Sequence, residues 1–204
     1  MDLNIKKFNK FFLAYIIFLI VCSIFFLSKT YLSQTNNSMA EWAINYSGGF
    51  GRRGFFGEIF TFLSLLLDQP YRRVILLFLF VVFILYYLII YFFISDIKLN
   101  NWIIFATLSP LFLIFPIAEL EALGRKDILI PLFFLLYLYL TEKFSFHTNI
   151  IILVLIYSIL LLTHEVSIFY LPFFYAIILL KYENFHLNKI LILLIISFLF
   201  FSII

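Results

Sequence analysis

Seven stretches of this chain carry no charged side chain: 11–27, 74–95, 102–118, 128–140, 150–162, 166–180 and 190–204. Runs of that kind constrain the fold more than anything else in the sequence. A water-soluble domain has no way to cover them, whereas hydrocarbon accepts them once every backbone N–H and C=O is paired within its own segment, as in a helix. Composition agrees: 65% of the residues are hydrophobic and 12% are charged, against roughly 25% charged in soluble domains. Thirty Phe and six Gly exclude a disordered chain, a collagen and a soluble nucleic-acid binder. The expected class is all-α, a polytopic bundle of about seven spans forming a single transmembrane domain over 1–204. The lone cysteine, Cys22, lies inside an apolar run, so no internal disulfide is expected.

The first run follows Lys6, Lys7 and Lys10, and no small-residue cleavage site comes after it. It therefore reads as an uncleaved span with the N-terminus on the cytoplasmic side. Several later runs are shorter than the roughly 20 residues a crossing helix needs. The run 128–140 can cross only by drawing in flanking polar residues, which places Arg125, Lys126 or Asp127 near headgroup depth. The last run stops at Ile204 with no polar flank, the pattern of a piece cut from a longer protein.

Between the first two runs, Glu58, Thr61, Ser64 and Asp68 recur at helical spacing, with Ile59, Phe60, Phe62, Leu63, Leu66 and Leu67 largely opposite. Segment 55–68 is expected to be an amphipathic helix lying in the interface rather than a span. The distribution of Lys and Arg does not choose, because they divide evenly between the two sides either way. With 55–68 on the surface, all five Arg and Lys126 fall outside, and the inner loops carry only Lys.

Under that topology three polar clusters share the outer face. The first, 48–58, holds five of the six glycines together with Arg52, Arg53 and Glu58. Guanidinium forks grip phosphate oxygens by paired hydrogen bonds, and glycines let backbone N–H groups approach them. The bland alternative is a flexible turn with two snorkelling arginines. The second, 119–127, gathers Glu119, Glu121, Arg125, Lys126 and Asp127 in a tight interhelical connection. It is either a self-neutralising loop or the lining of a polar cavity at membrane depth. The third, Thr163-His164-Glu165, interrupts an otherwise apolar stretch. It is either the polar tip of a helical hairpin or a proton acceptor near neutral pH. Segment 49–54 matches the spacing of a dinucleotide fingerprint, but no βαβ unit surrounds it. No spacing of His, Cys and carboxylates fits a metal site. The 13 Tyr and two Trp do not discriminate among membrane proteins.

Around 41–58, 124–127 and His164-Glu165 the chain resembles bacterial O-antigen and capsular polysaccharide polymerases and, more distantly, membrane glycosyltransferases of the C-type fold. The resemblance implies a multi-pass enzyme of lipopolysaccharide or capsule synthesis in the bacterial cytoplasmic membrane. It would transfer glycan from a polyprenyl diphosphate donor to a lipid-linked sugar acceptor at the outer face. The C-type relation implies a catalytic carboxylate in the first outer loop, a position Glu41 or Glu58 could fill, and a polyprenyl phosphate sugar as donor. Charge on the departing diphosphate needs cations, for which Arg52, Arg53, Arg125 and Lys126 are the candidates. The acceptor hydroxyl needs a base, for which His164 or Glu165 are the first candidates and Glu58 and Asp127 the alternatives. No metal or other cofactor is required, and no nucleic acid is expected. The expected partners are a polyprenyl diphosphate-linked oligosaccharide and membrane lipid, with members of a polysaccharide-assembly complex as further candidates. A flippase of such lipids and a non-catalytic assembly subunit are the rival readings. The first would place charge at mid-membrane and along both faces.

Overall fold

In the computed structural model, residues 2–33, 37–49, 54–95, 101–109, 112–119 and 122–182 are described, and they are helical without any strand. Among the described residues eight α-helices follow one another: α1 Asp2–Ser33, α2 Phe55–Leu67, α3 Tyr71–Ser95, α4 Asn101–Leu108, α5 Phe115–Ala118, α6 Leu129–Thr141, α7 Phe146–Thr163 and α8 Leu171–Lys181. Three short 3₁₀ helices, Asn37–Ala43, Lys126–Ile128 and Glu165–Tyr170, stand before α2, α6 and α8. Among the described residues three helical stretches are long and apolar enough to cross a membrane: Lys10–Ser33, Tyr71–Ser95 and Phe146–Thr163. The run 190–204 lies outside the described residues.

Two compact units form. The first takes the chain up to Ala43 and Ile59–Ile128, and the second takes Ile44–Glu58 and the chain from Leu129 onward.

In the first unit α1 and α3 run antiparallel. Phe12 of α1 stacks on Tyr91 near one end, and Arg72 donates to the carbonyl of Tyr31 near the other, 3.2 Å away. The side chains that α1 buries, Phe12, Ile16, Leu19, Ser23, Leu27 and Thr30, recur every three or four residues and so make one stripe. Off that stripe Phe11, Ile17, Phe18, Val21 and Phe25 are exposed, as are Leu77, Val81, Leu85 and Phe92 of α3. Large apolar side chains facing outward on both helices are what a lipid environment requires and water penalises.

The run 102–118 is not one helix. It breaks after Leu108, where Ser109 donates to Ala106 and Pro110 follows, and resumes as α5, with Pro116 in its first turn. Proline has no N–H to give and its ring clashes with the carbonyl four residues back, so the sequence itself dictates the break. Two tyrosines satisfy carbonyls on either side of it. The Tyr15 hydroxyl donates to Thr107 O, and the Tyr87 hydroxyl donates to Leu113 O, each at 3.2 Å.

Helix α2 forms where expected and ends at Asp68, whose φ of 49° closes it in the left-handed region. Its faces differ from the amphipathic expectation. Phe60 is buried against Trp42, Phe78 and Tyr71, while Phe62, Leu65, Leu66 and Leu67 are exposed beside Glu58. Ser64 spends its hydroxyl on the carbonyl of Gln69, 2.7 Å away, instead of facing water.

In the second unit α6, α7 and α8 pack together, with Phe174 of α8 against Phe134, Tyr137 and Tyr157. The run 166–180 is divided between the 3₁₀ helix Glu165–Tyr170 and α8, whose first turn contains Pro172. Ser167 ties the junction to α7: its hydroxyl donates to Leu160 O, and its own carbonyl accepts from the Tyr157 hydroxyl.

Candidate functional site

The second polar cluster is built around a turn that only glycine takes without strain. Gly124 has φ 121°, in the region that L side chains rarely enter. The turn is closed by Ala122 and Leu123 donating to Glu119 O and by Arg125 donating to Ala122 O. Leu123 is buried beneath it.

Trp42 anchors this turn from the 3₁₀ helix Asn37–Ala43. Its indole is wholly buried, between Phe60 of α2 and Phe78 of α3. Nε1 donates to Gly124 O at 2.6 Å, and the Trp42 carbonyl accepts from the Tyr71 hydroxyl at 2.7 Å. Lys126 places its Nζ 5.9 Å from the centroid of the same indole, within cation–π reach.

Adjacent cations therefore face opposite ways. Lys126 is 1% exposed and turned inward. The Arg125 side chain is 45% exposed, with Nε 3.2 Å from Asp127 Oδ2 and 3.9 Å from Glu41 Oε1. Of these two candidates for the diphosphate, Arg125 is exposed and Lys126 is buried.

Glu58 belongs to the second unit, where its carboxylate accepts from the Tyr46 N–H at 3.3 Å. The approach is close because Gly57 lies against the backbone of Ile44; a Cβ there would come within 1.9 Å of the Ile44 carbonyl oxygen. The Tyr46 phenol is pushed above its ordinary range, first by burial and then by the Glu58 charge, so it stays protonated at neutral pH. Asn45 Oδ1 accepts from Ser47 N–H and Oγ, and Gly49 donates to Tyr46 O, which orders the loop before the arginine pair. Arg52 and Arg53 themselves lie outside the described residues, as does Glu121.

His164 both ends α7 and caps the following 3₁₀ helix. Its N–H donates to Leu160 O at 2.8 Å, and its Nδ1 accepts from Val166 N–H at 3.2 Å. A ring whose Nδ1 accepts holds its proton on Nε2 when neutral. The side chain is buried, and Glu165 beside it is half-buried.

The folded chain thus brings Glu41, Trp42, Arg125, Lys126 and Asp127 together in the first unit. Glu58 joins Tyr46, and His164 stands next to Glu165, both in the second. Trp42 and Tyr71 are the members that the sequence did not single out. The available signal was Trp42 standing next to Glu41 in the first polar segment after the first span. Among the described residues no group of three or more His, Cys, Asp or Glu could hold a metal ion. No family profile, curated protein or solved structure matches this chain.

Proposed function

We propose that the protein is a membrane glycosyltransferase of the polysaccharide-polymerase type, acting on polyprenyl diphosphate-linked glycans at the outer face of a bacterial cytoplasmic membrane. The observation that carries this reading is the Arg125 turn: a half-exposed guanidinium over a buried ammonium, at the head of an apolar helix. A cation as buried as Lys126 is costly to keep unless it is paired or serves a site. Arg125, with Arg52 and Arg53, holds the diphosphate, and Lys126 adds positive potential from beneath. His164 or Glu165 takes the proton of the acceptor hydroxyl, with Glu58 and Asp127 as alternatives. The acceptor oxygen then bonds to the anomeric carbon, and the carbon–oxygen bond to the diphosphate breaks, the electron pair leaving with the phosphate.

The seven-span topology with α2 in the interface belongs to this proposal. Further support comes from an apolar cleft of about 310 Å³ lined by Ile130, Pro131, Phe134, Tyr170, Phe173 and Phe174. It has the lining that part of an isoprenoid tail needs.

A second reading, a C-type glycosyltransferase using a polyprenyl monophosphate sugar, is favoured by Glu41, an acidic residue of the first extramembrane segment drawn to Arg125. Donor choice separates the two. In membranes supplied with lipid-linked repeat units, Ala at Arg52, Arg53, Arg125 or His164 should each abolish polymer. Full polymer from all four variants rejects the scheme, and transfer only from the monophosphate donor selects the second reading.

A further inference from the structure

The indole of Trp42 meets both flanks of one residue. Its Nε1 holds the carbonyl of Gly124, and its ring lies under the ammonium of Lys126; Arg125 stands between them in sequence. The preceding residue, Glu41, reaches Arg125 itself. Two neighbours on one 3₁₀ helix thus engage three consecutive residues of a turn 82 positions away. The indole has nowhere to move, being walled by Phe60 and Phe78 and fixed through its own carbonyl by Tyr71.

We propose that Trp42 is a positioning residue: by clamping Gly124 and Lys126 on either side it forces Arg125 outward and fixes the guanidinium where it meets the diphosphate of a lipid substrate. This rests on the reading of Arg125 as a diphosphate ligand and adds what sets that ligand's geometry. The clamp is specific to an indole. Phenylalanine offers the ring to Lys126 but gives no N–H to Gly124, and the left-handed turn at Gly124 then loses its long-range tether. Arg125 keeps its charge but not its direction, so the loss should fall on the anionic end of a ligand and spare the tail.

The test uses the full chain in lipid nanodiscs, with farnesyl diphosphate and farnesol as probes. Wild type should bind the diphosphate more tightly than the alcohol, and Arg125→Ala should erase that preference. Trp42→Phe should weaken farnesyl diphosphate about five- to tenfold, the worth of one hydrogen bond, and leave farnesol unchanged. General damage would weaken both probes alike, and that result overturns the inference. A second measurement needs no change at Trp42. With Trp102→Phe, Trp42 is the sole indole, and its emission should shift saturably with farnesyl diphosphate but not in an Arg125→Ala background. A silent indole while the diphosphate binds also overturns the inference and leaves the Arg125 reading standing. Wild type that binds both probes equally sinks that reading itself.

Discussion

Asn149 shows how much one side chain can hold at a helix junction. It is wholly buried where α6 turns into α7, and the two N–H groups of its Nδ2 are shared among Thr141 O, Phe144 O and the Tyr182 hydroxyl, all within hydrogen-bond distance. The opposite amide orientation would set an oxygen against two carbonyls, so the donor side is fixed by its surroundings. Asn149→Leu should cost about 1–3 kcal/mol, the penalty of stranding buried acceptors. Asn149→Asp should cost more, because it faces the same carbonyls with negative charge. Thermal unfolding in detergent micelles measures both, and an Asp variant as stable as wild type contradicts the assignment. Gly57 offers a second test at this scale. No rotamer relieves a Cβ lodged against the Ile44 carbonyl, so Gly57→Ala should destabilise by about 1–3 kcal/mol, as overpacking does. Since Glu58 adjoins it, the same variant should also disturb the carboxylate's contact with Tyr46.

Among the elements, the break between α4 and α5 is the most informative. Hydropathy alone reads 102–118 as one run, because an averaged scale gives proline and serine no structural meaning. Ser109 followed by Pro110 carries the local signal for the interruption, which the hydropathy reading of 102–118 as one helix passed over. What the local sequence does not supply is the identity of the donors that satisfy carbonyls on either side of the break, Tyr15 from α1 and Tyr87 from α3. Removing both hydroxyls in a Tyr15→Phe, Tyr87→Phe double variant should lower stability by about 1–3 kcal/mol relative to wild type. Each hydroxyl serves a different carbonyl, so the single effects should nearly add; a double variant as stable as wild type would show that neither bond matters. Helix α2 teaches the converse. Its period of polar residues was legible and its helical state correct, but Trp42 selects what packs: of the apolar set Phe60 is buried against it, while Phe62, Leu66 and Leu67 stay exposed. An exposed row of Phe62, Leu65 and Leu66 calls for lipid, whichever way the helix lies.

For the whole molecule, the testable statement is the sidedness of the loops. In a Cys22→Ser background, single cysteines at Ser47, Glu119 and Val166, all exposed positions, should react with an impermeant maleimide in intact cells. A cysteine at Lys143, exposed in the turn between α6 and α7, should react only after the membrane is opened. Labelling of Lys143 together with Glu119 from one side rejects the seven-span arrangement, as does labelling of Glu119 and Val166 from opposite sides.

The class of this protein and the positions of most helices were legible in its apolar runs, because the need to pair every backbone group in hydrocarbon acts locally and marks each run. The sequence also marked the residues of unusual chemistry, including the Arg125 turn and the His164 junction. Tertiary structure alone decided which way those residues face. That Lys126 is inside and Arg125 outside depends on an indole from a distant segment arriving at Gly124, and that His164 is buried depends on α7 ending beneath a 3₁₀ cap. Such pairings are fixed by chain closure and steric fit between segments far apart in sequence, and no property of a single window encodes them.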